Sequence, residues 1–388
     1  MEELVEACPK IRPSWPRLKT PAASRQEQLD SLTGLRGFAA LWVVSLHFEE
    51  TTNQLLPASS HLHWFIGAGS NAVPLFFILS GFILLHTYRD RFEIFSWREY
   101  FRFLGLRLAR IYPAYLAALI VMVMMVVASS MIGVPHSHDA YPLNWLLPEA
   151  LMLQSWVRMP PDFFGWNYPD WSVSAEWFAY LFIFPPAVWL VKKISGVKLR
   201  LGLALIFAFG LCVLEPAVRT EWKLPTVSLL FLAGAFLWEW RRRQIQEHGK
   251  ISLHLDTLGF ALLFVALGCA ARISKFETDT TILLAVLVLI LGLSRADGIC
   301  SRLLATRVCV FLGEISYSIY LVHGIVQRLL KIILPADKFT ASPLPVRAGI
   351  VCVDFAAVLL AAMLLYFLIE HPARGWLRKK FSSRRTEK

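Results

Sequence analysis

Charged residues are scarce in this sequence. Asp, Glu, Lys and Arg make up 17% of its 388 residues, whereas a soluble globular protein has about 25%. Cysteine is also sparse: the six cysteines are scattered and form no CxxC pair, so neither a zinc site nor a disulfide framework is indicated. Residues 1–31 lack the apolar segment of a signal peptide and are expected to be a cytoplasmic N-terminal tail. A soluble domain is not expected anywhere in the chain.

Hydrophobic residues are abundant, at 56% of the sequence. Apolar runs long enough to cross a bilayer core of about 30 Å recur along the chain. They predict ten membrane spans, near residues 33–54, 70–88, 107–132, 171–191, 200–218, 222–240, 252–271, 278–294, 308–330 and 346–369.

The basic residues follow the predicted spans. With the N-terminus inside, 29 of the 39 lysines and arginines lie in segments predicted to be cytoplasmic and 9 lie outside. This positive-inside pattern predicts an all-α polytopic membrane protein with about ten transmembrane helices and both termini cytoplasmic. The net charge of +11 therefore indicates contact with the lipid bilayer rather than with nucleic acid. Residues 371–388 form a basic cytoplasmic C-terminal tail in this prediction.

Two ionisable residues lie in the apolar part of the first predicted span. Arg36 and His47 are eleven residues apart, which is about 16 Å along a helix. This places Arg36 near the cytoplasmic interface and His47 past the midplane. Ionisable groups inside spans are costly and are typical of functional sites. The alternatives are that Arg36 is a lipid-facing anchor and that His47 bonds a neighbouring carbonyl.

An acidic residue lies in the fourth predicted span. Glu176 follows the outer end of "PDWSVSAEWFAYLFIFP" by about 7 Å, a depth similar to that of His47. A carboxylate beside an imidazole can fix its tautomer and raise its basicity, so a Glu176–His47 pair is predicted. The alternative is a structural glutamate bonded to a serine or a tryptophan.

Two further groups of polar residues lie on helix faces. Arg107 and Arg110, in "RFLGLRLARIYPAY", are three residues apart and share one face at the cytoplasmic surface, where two guanidinium groups suit phosphate recognition or lipid anchoring. In the ninth predicted span, three polar residues recur at helical spacing: Ser316, Tyr320 and His323. This spacing predicts one polar stripe that faces the bundle interior.

Histidines in the outer loops could suggest a metal. The candidates are His61 and His63 in "HLHWF" and His136, His138 and Asp139 in "PHSHDA". Neither group has a matching second half, so no metal site is predicted.

Five motifs in order resemble the membrane acyltransferase 3 family. They are "LTGLRGFAALWVVSLHF", "PLFFILSGFIL", "RLARIYPAY", "WSVSAEWFAYL" and "LGEISYSIYLVH". The resemblance covers roughly residues 30 to 370 and implies a transmembrane acyltransferase domain at 32–370. It implies transfer of an acyl group, most often acetyl, from cytoplasmic acyl-CoA to a hydroxyl of a sugar, a glycan or a secondary metabolite. It further implies a multi-pass protein of the cell inner membrane, of the kind that lacks an extracytoplasmic esterase domain.

The resemblance also implies roles for residues. The family's pattern of a basic residue, ten intervening residues and then a histidine is met by Arg36 and His47, and its paired arginines are met by Arg107 and Arg110. The arginines would bind acyl-CoA, which is a substrate and not a resident cofactor, while His47 would be the general base. Family members often have a second acidic residue after Glu176, but here Trp177 follows. Five more residues are expected to bind substrate or to be structural: Tyr112, Trp171, Ser316, Tyr320 and His323.

Two other functions fit the composition. Buried polar groups in ten spans could form the pathway of a transporter or flippase of a glycan or lipid-linked precursor, although no internal repeat is present. A lipid-linked glycosyltransferase would need acidic residues clustered on an outer loop, and Asp139, Asp162 and Asp170 are dispersed. The acyltransferase hypothesis is preferred.

Overall fold

The structure is a computed structural model. It describes residues 22–92, 94–133, 141–156, 165–194, 196, 200–206, 223–248, 255–269, 275–294 and 298–383. In these residues the regular elements are helices and no strand occurs, which confirms the predicted all-α class. The predicted fifth span, 200–218, lies largely outside the described residues, as do His136, His138, Asp139 and Asp162.

Long helices carry the fold, and short helical turns connect several of them. In chain order the helices are α1 (Ala22–His47), α2 (Glu49–Leu55), α3 (Ala72–Tyr88), α4 (Trp97–Met131), α5 (Asp170–Lys193), α6 (Lys223–His248), α7 (Leu255–Cys269), α8 (Lys275–Leu293), α9 (Ile299–Leu304), α10 (Arg307–Glu314), α11 (Ser316–Ile333) and α12 (Leu344–Phe381). Between α2 and α3 lie the turns Pro57–Leu62, His63–Ile66 and Gly67–Asn71, and Leu143–Trp145 and Leu146–Ala150 follow α4.

Four helical segments are long and apolar enough to cross a membrane. They are Pro57–Phe92, Trp97–Met131, Asp170–Lys193 and Leu344–Phe381. A fifth candidate arises if α10 and α11, which are bent by 63° relative to each other, form one broken span. These segments support a membrane protein with several apolar helices, while the count of ten spans and the orientation of the termini stay predictions.

Two of the predicted spans are broken. The first was expected to continue to residue 54, but α1 ends at His47 and α2 starts at Glu49, where two adjacent glutamates are unsuited to an apolar span. The ninth was expected to be one helix, but it bends between Glu314 and Ser316. Ser316 Oγ donates a hydrogen bond of 2.8 Å to the Gly313 carbonyl, and this stabilises the break.

Close backbone contact joins α3 to α6. A Cβ atom added at Gly81 would lie 2.0 Å from the Phe231 carbonyl oxygen, and one added at Gly234 would lie 2.0 Å from the Ile78 carbonyl oxygen. Only residues without a side chain fit at both positions, which is how small residues bring membrane helices together.

α1 lies at the centre of the described bundle. It contacts α3 on one side and α10 and α11 on the other. α5 and α12 each contain a π-helical turn, at Ala179–Ile183 and at Tyr366–Glu370. Such turns often occur at functional sites because they widen the helix and turn side chains out of the α-helical register. Both turns contribute groups to the site described next.

Candidate active site

A cavity opens among α1, α3, α4, α5 and α11. It contains about 830 Å³ of empty space, its open mouth included. Six of the residues singled out from the sequence line it: Arg36, Arg107, Arg110, Glu176, Ser316 and Tyr320. The structure thus brings together the two arginine groups that the sequence placed in separate spans.

The three arginines are held differently. Arg107 Nη2 donates to the Tyr88 hydroxyl at 2.8 Å, and its guanidinium lies 5.1 Å from the centroid of that ring. Arg36 interacts electrostatically with Arg110, Glu176 and more weakly with Glu370. Within the described residues, the guanidinium groups of Arg36 and Arg110 have no hydrogen bond or ion pair. Two unpaired cations in a largely apolar cavity favour an anionic ligand.

Glu176 lies on the cavity side of α5. Its Oε1 accepts a hydrogen bond of 2.7 Å from Ser80 Oγ and another from the Tyr180 hydroxyl, which lies in the π-helical turn. No hydrogen bond or ion pair joins Glu176 to His47 in the described residues, so the predicted Glu176–His47 pair does not form there. The bond to Ser80 agrees with the alternative of a glutamate bonded to a serine.

His47 lies outside the lining of this cavity, in an aromatic cluster. Its ring centroid is 4.6 Å from that of Tyr168 and 5.0 Å from that of His323. Its Nδ1 lies 2.9 Å from the Val43 carbonyl oxygen, so Nδ1 carries the proton and Nε2 is left as a base. The side-chain amide of Gln327 donates to the His47 carbonyl. The backbone of α1, rather than a carboxylate, sets the tautomer of His47.

His323 has the same tautomer as His47. It is fully buried, and its Nδ1 lies 2.6 Å from the Tyr320 carbonyl oxygen. Its Nε2 is buried and has no hydrogen-bond partner in the described part of the chain. An unsatisfied buried acceptor is rare in proteins. The two neighbouring imidazoles therefore present unprotonated Nε2 atoms as acceptors.

The polar stripe of α11 connects the cavity to the histidines. Ser316, Tyr320 and His323 are all buried, as the spacing predicts. The Tyr320 ring lines the cavity, its hydroxyl is hydrogen-bonded to Ser172 Oγ at 2.9 Å, and its carbonyl binds His323. Tyr320 thus contacts both the arginine-lined cavity and His323.

Two predicted residues lie outside both groups. The Tyr112 hydroxyl donates to the Ala150 carbonyl at 3.0 Å. The Trp171 ring lies 4.1 Å from Lys223 Nζ, and the Trp171 carbonyl accepts a hydrogen bond of 2.6 Å from Ser155. Both residues hold the segment between α4 and α5 against the bundle, which favours their structural interpretation.

Several residues at the site were missed from the sequence. Tyr168 packs on His47 and His323, and Tyr180 binds Glu176. Glu370, in the second π-helical turn, accepts a hydrogen bond of 2.7 Å from Ser318 and lies near Arg36. The signal for Tyr168 was weak, because it lies before the fourth span and its neighbours suggest only a turn.

The outer-loop histidines do not form a metal site in the described residues. His63 Nδ1 lies 2.6 Å from Glu49 Oε1 and is mostly exposed. No group of three His, Cys, Asp or Glu side chains with metal-binding geometry occurs in the ranges that the structure describes. Because His136, His138 and Asp139 lie outside them, the prediction of no metal site stays a prediction.

Comparison with known proteins gives one family. The family model for the acyltransferase 3 family, which is described as an acyltransferase domain, matches residues 29–370. The acyltransferase MdmB of Streptomyces mycarofaciens is 29% identical over 92% of this chain and 94% of its own. The exopolysaccharide production protein ExoZ of Rhizobium meliloti (strain 1021) is 28% identical over 82% of this chain and 93% of its own.

A relative from a virus is also similar. The putative acetyltransferase ORF330 of Acidianus two-tailed virus is 28% identical over 77% of this chain and 83% of its own. No solved structure matches.

Proposed function

The chain belongs to the acyltransferase 3 family and is an acyltransferase that transfers groups other than aminoacyl groups, and from this premise we propose that it is an integral-membrane O-acyltransferase. The donor is cytoplasmic acyl-CoA, most often acetyl-CoA, and the acceptor is a hydroxyl of a sugar or glycan. The observation that carries the proposal is the cavity with two unpaired arginines next to a pair of basic imidazoles. Family membership favours this enzyme over the transporter or flippase alternative.

The donor binds on the arginine side. Arg36, Arg107 and Arg110 position the CoA moiety, because guanidinium groups bind phosphate and carbonyl oxygens through paired N–H donors. Glu176, held by Ser80 and Tyr180, binds a hydroxyl or amide of a substrate in the cavity rather than orienting His47.

The base acts at the Tyr320 end of the cavity, where the thioester of the bound donor meets the acceptor hydroxyl. His47 Nε2 takes the proton of the acceptor hydroxyl while the oxygen attacks the thioester carbonyl. The carbon–sulfur bond then breaks, and the CoA thiolate leaves and receives the proton from the imidazolium. A positioned general base typically contributes 10²–10⁴-fold in rate. A covalent acyl-histidine that carries the group across the membrane is the second route, and ping-pong kinetics would distinguish it from direct transfer.

The relatives favour a carbohydrate acceptor. ExoZ is named for exopolysaccharide production, and several relatives are named O-acetyltransferases. For this chain we propose a surface glycan acceptor and a place in the cell inner membrane, with ten spans and both termini in the cytoplasm. The positive-inside distribution of lysine and arginine supports this topology.

One transfer assay tests the function and the base together. Purified protein in detergent receives radiolabelled acetyl-CoA and an extract of cell-envelope glycans. His47→Ala should lower label transfer by about 10²–10⁴-fold without weakening CoA binding. His61→Ala, a change at an exposed histidine of the outer turns, is the matched control and should transfer normally. Normal transfer by His47→Ala would exclude the proposed base, and wild-type protein that never uses an acyl-CoA would exclude the proposed donor.

A further inference from the structure

A second group of arginines lies beyond the cavity, around one buried carboxylate. Glu239 on α6 has no exposed surface. Its oxygens lie 3.0 Å from Arg89 Nε, 2.8 Å from Arg242 Nη2, 3.4 Å from Arg243 Nε and 4.0 Å from Arg200 Nη1. A single carboxylate would balance one of these four cations.

The local charge is strongly positive. Asp90 adds a second carboxylate, 3.2 Å from Arg89 Nη1, and its side chain is 91% exposed. Arg91 adds another cation, whose guanidinium carbon lies 5.3 Å from the centroid of the Tyr88 ring. Five arginines against two carboxylates leave a net charge of +3. A field of this sign in a partly buried site attracts anions.

Some of these arginines have N–H groups to spare. Among the described residues, Arg243 bonds to Glu239 through Nε, so both of its Nη groups keep their donors, and its side chain is about one-third exposed. Arg91 is exposed and contacts the Tyr88 ring without a hydrogen bond in that part of the chain. Glu239 thus fixes the guanidinium group of Arg243 through Nε and leaves its two Nη groups as donors on a partly exposed side chain, an arrangement that favours bidentate phosphate binding.

Tyr88 joins this group to the cavity. Its hydroxyl accepts the hydrogen bond from the cavity residue Arg107, and its ring contacts both Arg107 and Arg91. On the same helix, Leu84 lines the cavity and Arg89 follows five residues later, or about 7.5 Å further along the axis. The arginines around Glu239 are therefore one short step beyond the cavity.

Three segments predicted to be cytoplasmic converge here. Arg89 belongs to segment 88–110, Arg200 to 192–200, and Arg242 and Arg243 to 241–250. Because these segments are separate in sequence, their meeting at Glu239 is a property of the fold. An anion that binds here enters from the cytoplasm in the proposed topology.

We propose that Arg89, Arg242 and Arg243, which pair with Glu239, and the neighbouring Arg91 bind a phosphate group. These four arginines are called here the Glu239 cluster, and the phosphate is the 3′-phosphate of the coenzyme A donor. The inference rests on the proposed function. The pantetheine arm separates the thioester from the nucleotide, so a thioester in the cavity places the 3′-phosphate outside it. A phosphomonoester lipid at the cytoplasmic surface has the same chemistry and is the other source to test.

Binding of two forms of the donor tests the proposal directly. Purified protein is titrated with coenzyme A and with 3′-dephospho-coenzyme A, and the dissociation constants are measured without turnover. Wild type should bind coenzyme A about 10- to 100-fold more tightly, the range expected for charge-assisted hydrogen bonds. Arg243→Ala should remove most of this preference and leave 3′-dephospho-coenzyme A binding within about twofold of wild type.

Controls distinguish a lost site from a lost fold. Arg302→Ala changes an exposed arginine on α9, away from Glu239, and should keep the preference. Arg243→Ala leaves Glu239 bonded to Arg89 and Arg242, so its size-exclusion profile and melting temperature should match wild type. Equal preference in wild type and Arg243→Ala would overturn the assignment to the 3′-phosphate.

Nanodiscs separate the lipid from the nucleotide. Phosphatidic acid in an otherwise neutral bilayer should not change the ratio of the dissociation constants of 3′-dephospho-coenzyme A and coenzyme A. If Arg243→Ala loses phosphatidic acid binding while the coenzyme A preference is unchanged, the phosphate comes from lipid, and the nucleotide assignment fails. If Arg243→Ala changes neither the coenzyme A preference nor the binding of phosphatidic acid, the Glu239 cluster is an ion-pair network only and the proposal fails. Wild type that shows the preference but transfers no acyl group would contradict the proposed function and leave the inference standing.

Discussion

At the scale of single residues, the site is set by how each polar group is satisfied. His47 and His323 each give Nδ1–H to a backbone carbonyl of their own helix, so both keep Nε2 as an acceptor. Arg107 is anchored on Tyr88, while Arg36 and Arg110 keep their donors for a ligand within the described part of the molecule. Hydrogen bonds to the protein thus fix the positions of His47, His323 and Arg107, whereas the guanidinium groups of Arg36 and Arg110 keep donors with which a ligand could bond.

Replacing Arg36 should affect donor binding more than chemistry. Arg36→Ala removes one of the two unpaired guanidinium groups in the cavity, so acyl-CoA should bind about 10- to 100-fold more weakly. Arg36→Lys keeps the charge but loses the planar fork, and an intermediate affinity is expected. Equilibrium binding of coenzyme A measures both variants. Unchanged affinity in Arg36→Ala would remove this residue from the donor site.

At the scale of helices, close contacts and breaks decide where these residues meet. The contact at Gly81 holds α3 against α6, and α3 carries both Ser80 of the cavity and Arg89 of the Glu239 cluster. The π-helical turn in α5 places Tyr180 so that its hydroxyl reaches Glu176. Rotating either helix would separate groups that act together.

A side chain at Gly81 should separate α3 from α6. Its Cβ would lie 2.0 Å from a backbone oxygen of Phe231, which cannot rotate away as a side chain can. Gly81→Val should therefore cost about 3 kcal/mol or more of stability, the upper end for overpacking. Gly349→Val, where no atom lies within 4 Å, should have little effect. Thermal melts in detergent compare the two, and equal melting temperatures would contradict the close contact.

The segment after α4 should respond to pH. Burial raises the pKa of Glu149 to about 7, an effect partly offset by the hydrogen bond from the Trp166 backbone N–H. The unfolded carboxyl titrates near 4.5, so its stabilising contribution is full below that pH and is lost as pH rises through about 7. The full effect is at most about 3 kcal/mol.

Melting curves from pH 5 to pH 8 test this sign. The apparent melting temperature of wild type should fall over the range, and Glu149→Gln, which keeps the acceptor for Trp166, should flatten the fall. Glu50→Gln, at an exposed carboxylate, should follow the wild-type curve. A wild-type profile that rises with pH would show that Glu149 is not stabilised in its protonated form.

At the scale of the whole molecule, the topology is open to a direct test. Ser60 lies in a segment predicted to be outside, and Ser96 in one predicted to be inside. In a variant without the six native cysteines, Ser60→Cys should react with a membrane-impermeant maleimide in intact cells. Ser96→Cys should react only after the membrane is permeabilised. The reverse pattern would invert the proposed orientation, and equal labelling of both would exclude it.

The sequence was sufficient for the all-α class of fold and for the grouping of Arg107 with Arg110. Helical spacing placed Arg107 and Arg110 on one face, and Arg36 joins them in the cavity. It was insufficient for Glu176, because a rise of 1.5 Å per residue predicts depth in the bilayer but not the direction in which a side chain points around the helix. His47 and Glu176 have similar predicted depths and still face different groups.

The positions of helix breaks were also hard to predict. Glu49 and Glu50 are unsuited to an apolar span, but the residues before His47 and after Phe48 are both helical, so helical spacing does not show that α1 ends at His47. The pairing of His47 with His323 links residues that are 276 positions apart, and hydropathy carries no information about such a contact. The same holds for Glu239 and its arginines, which come from three separate segments.

The position of the cationic groups has a kinetic consequence. In the proposed reaction, Arg36, Arg110 and the Glu239 cluster bind phosphates and the nucleotide, the part of the donor that acyl transfer leaves unchanged. Binding of this kind holds substrate and product equally and does not itself accelerate the chemical step. Free coenzyme A should therefore be a strong competitive product inhibitor. The rate of acylation would then follow the ratio of acylated to free coenzyme A in the cytoplasm rather than the amount of either.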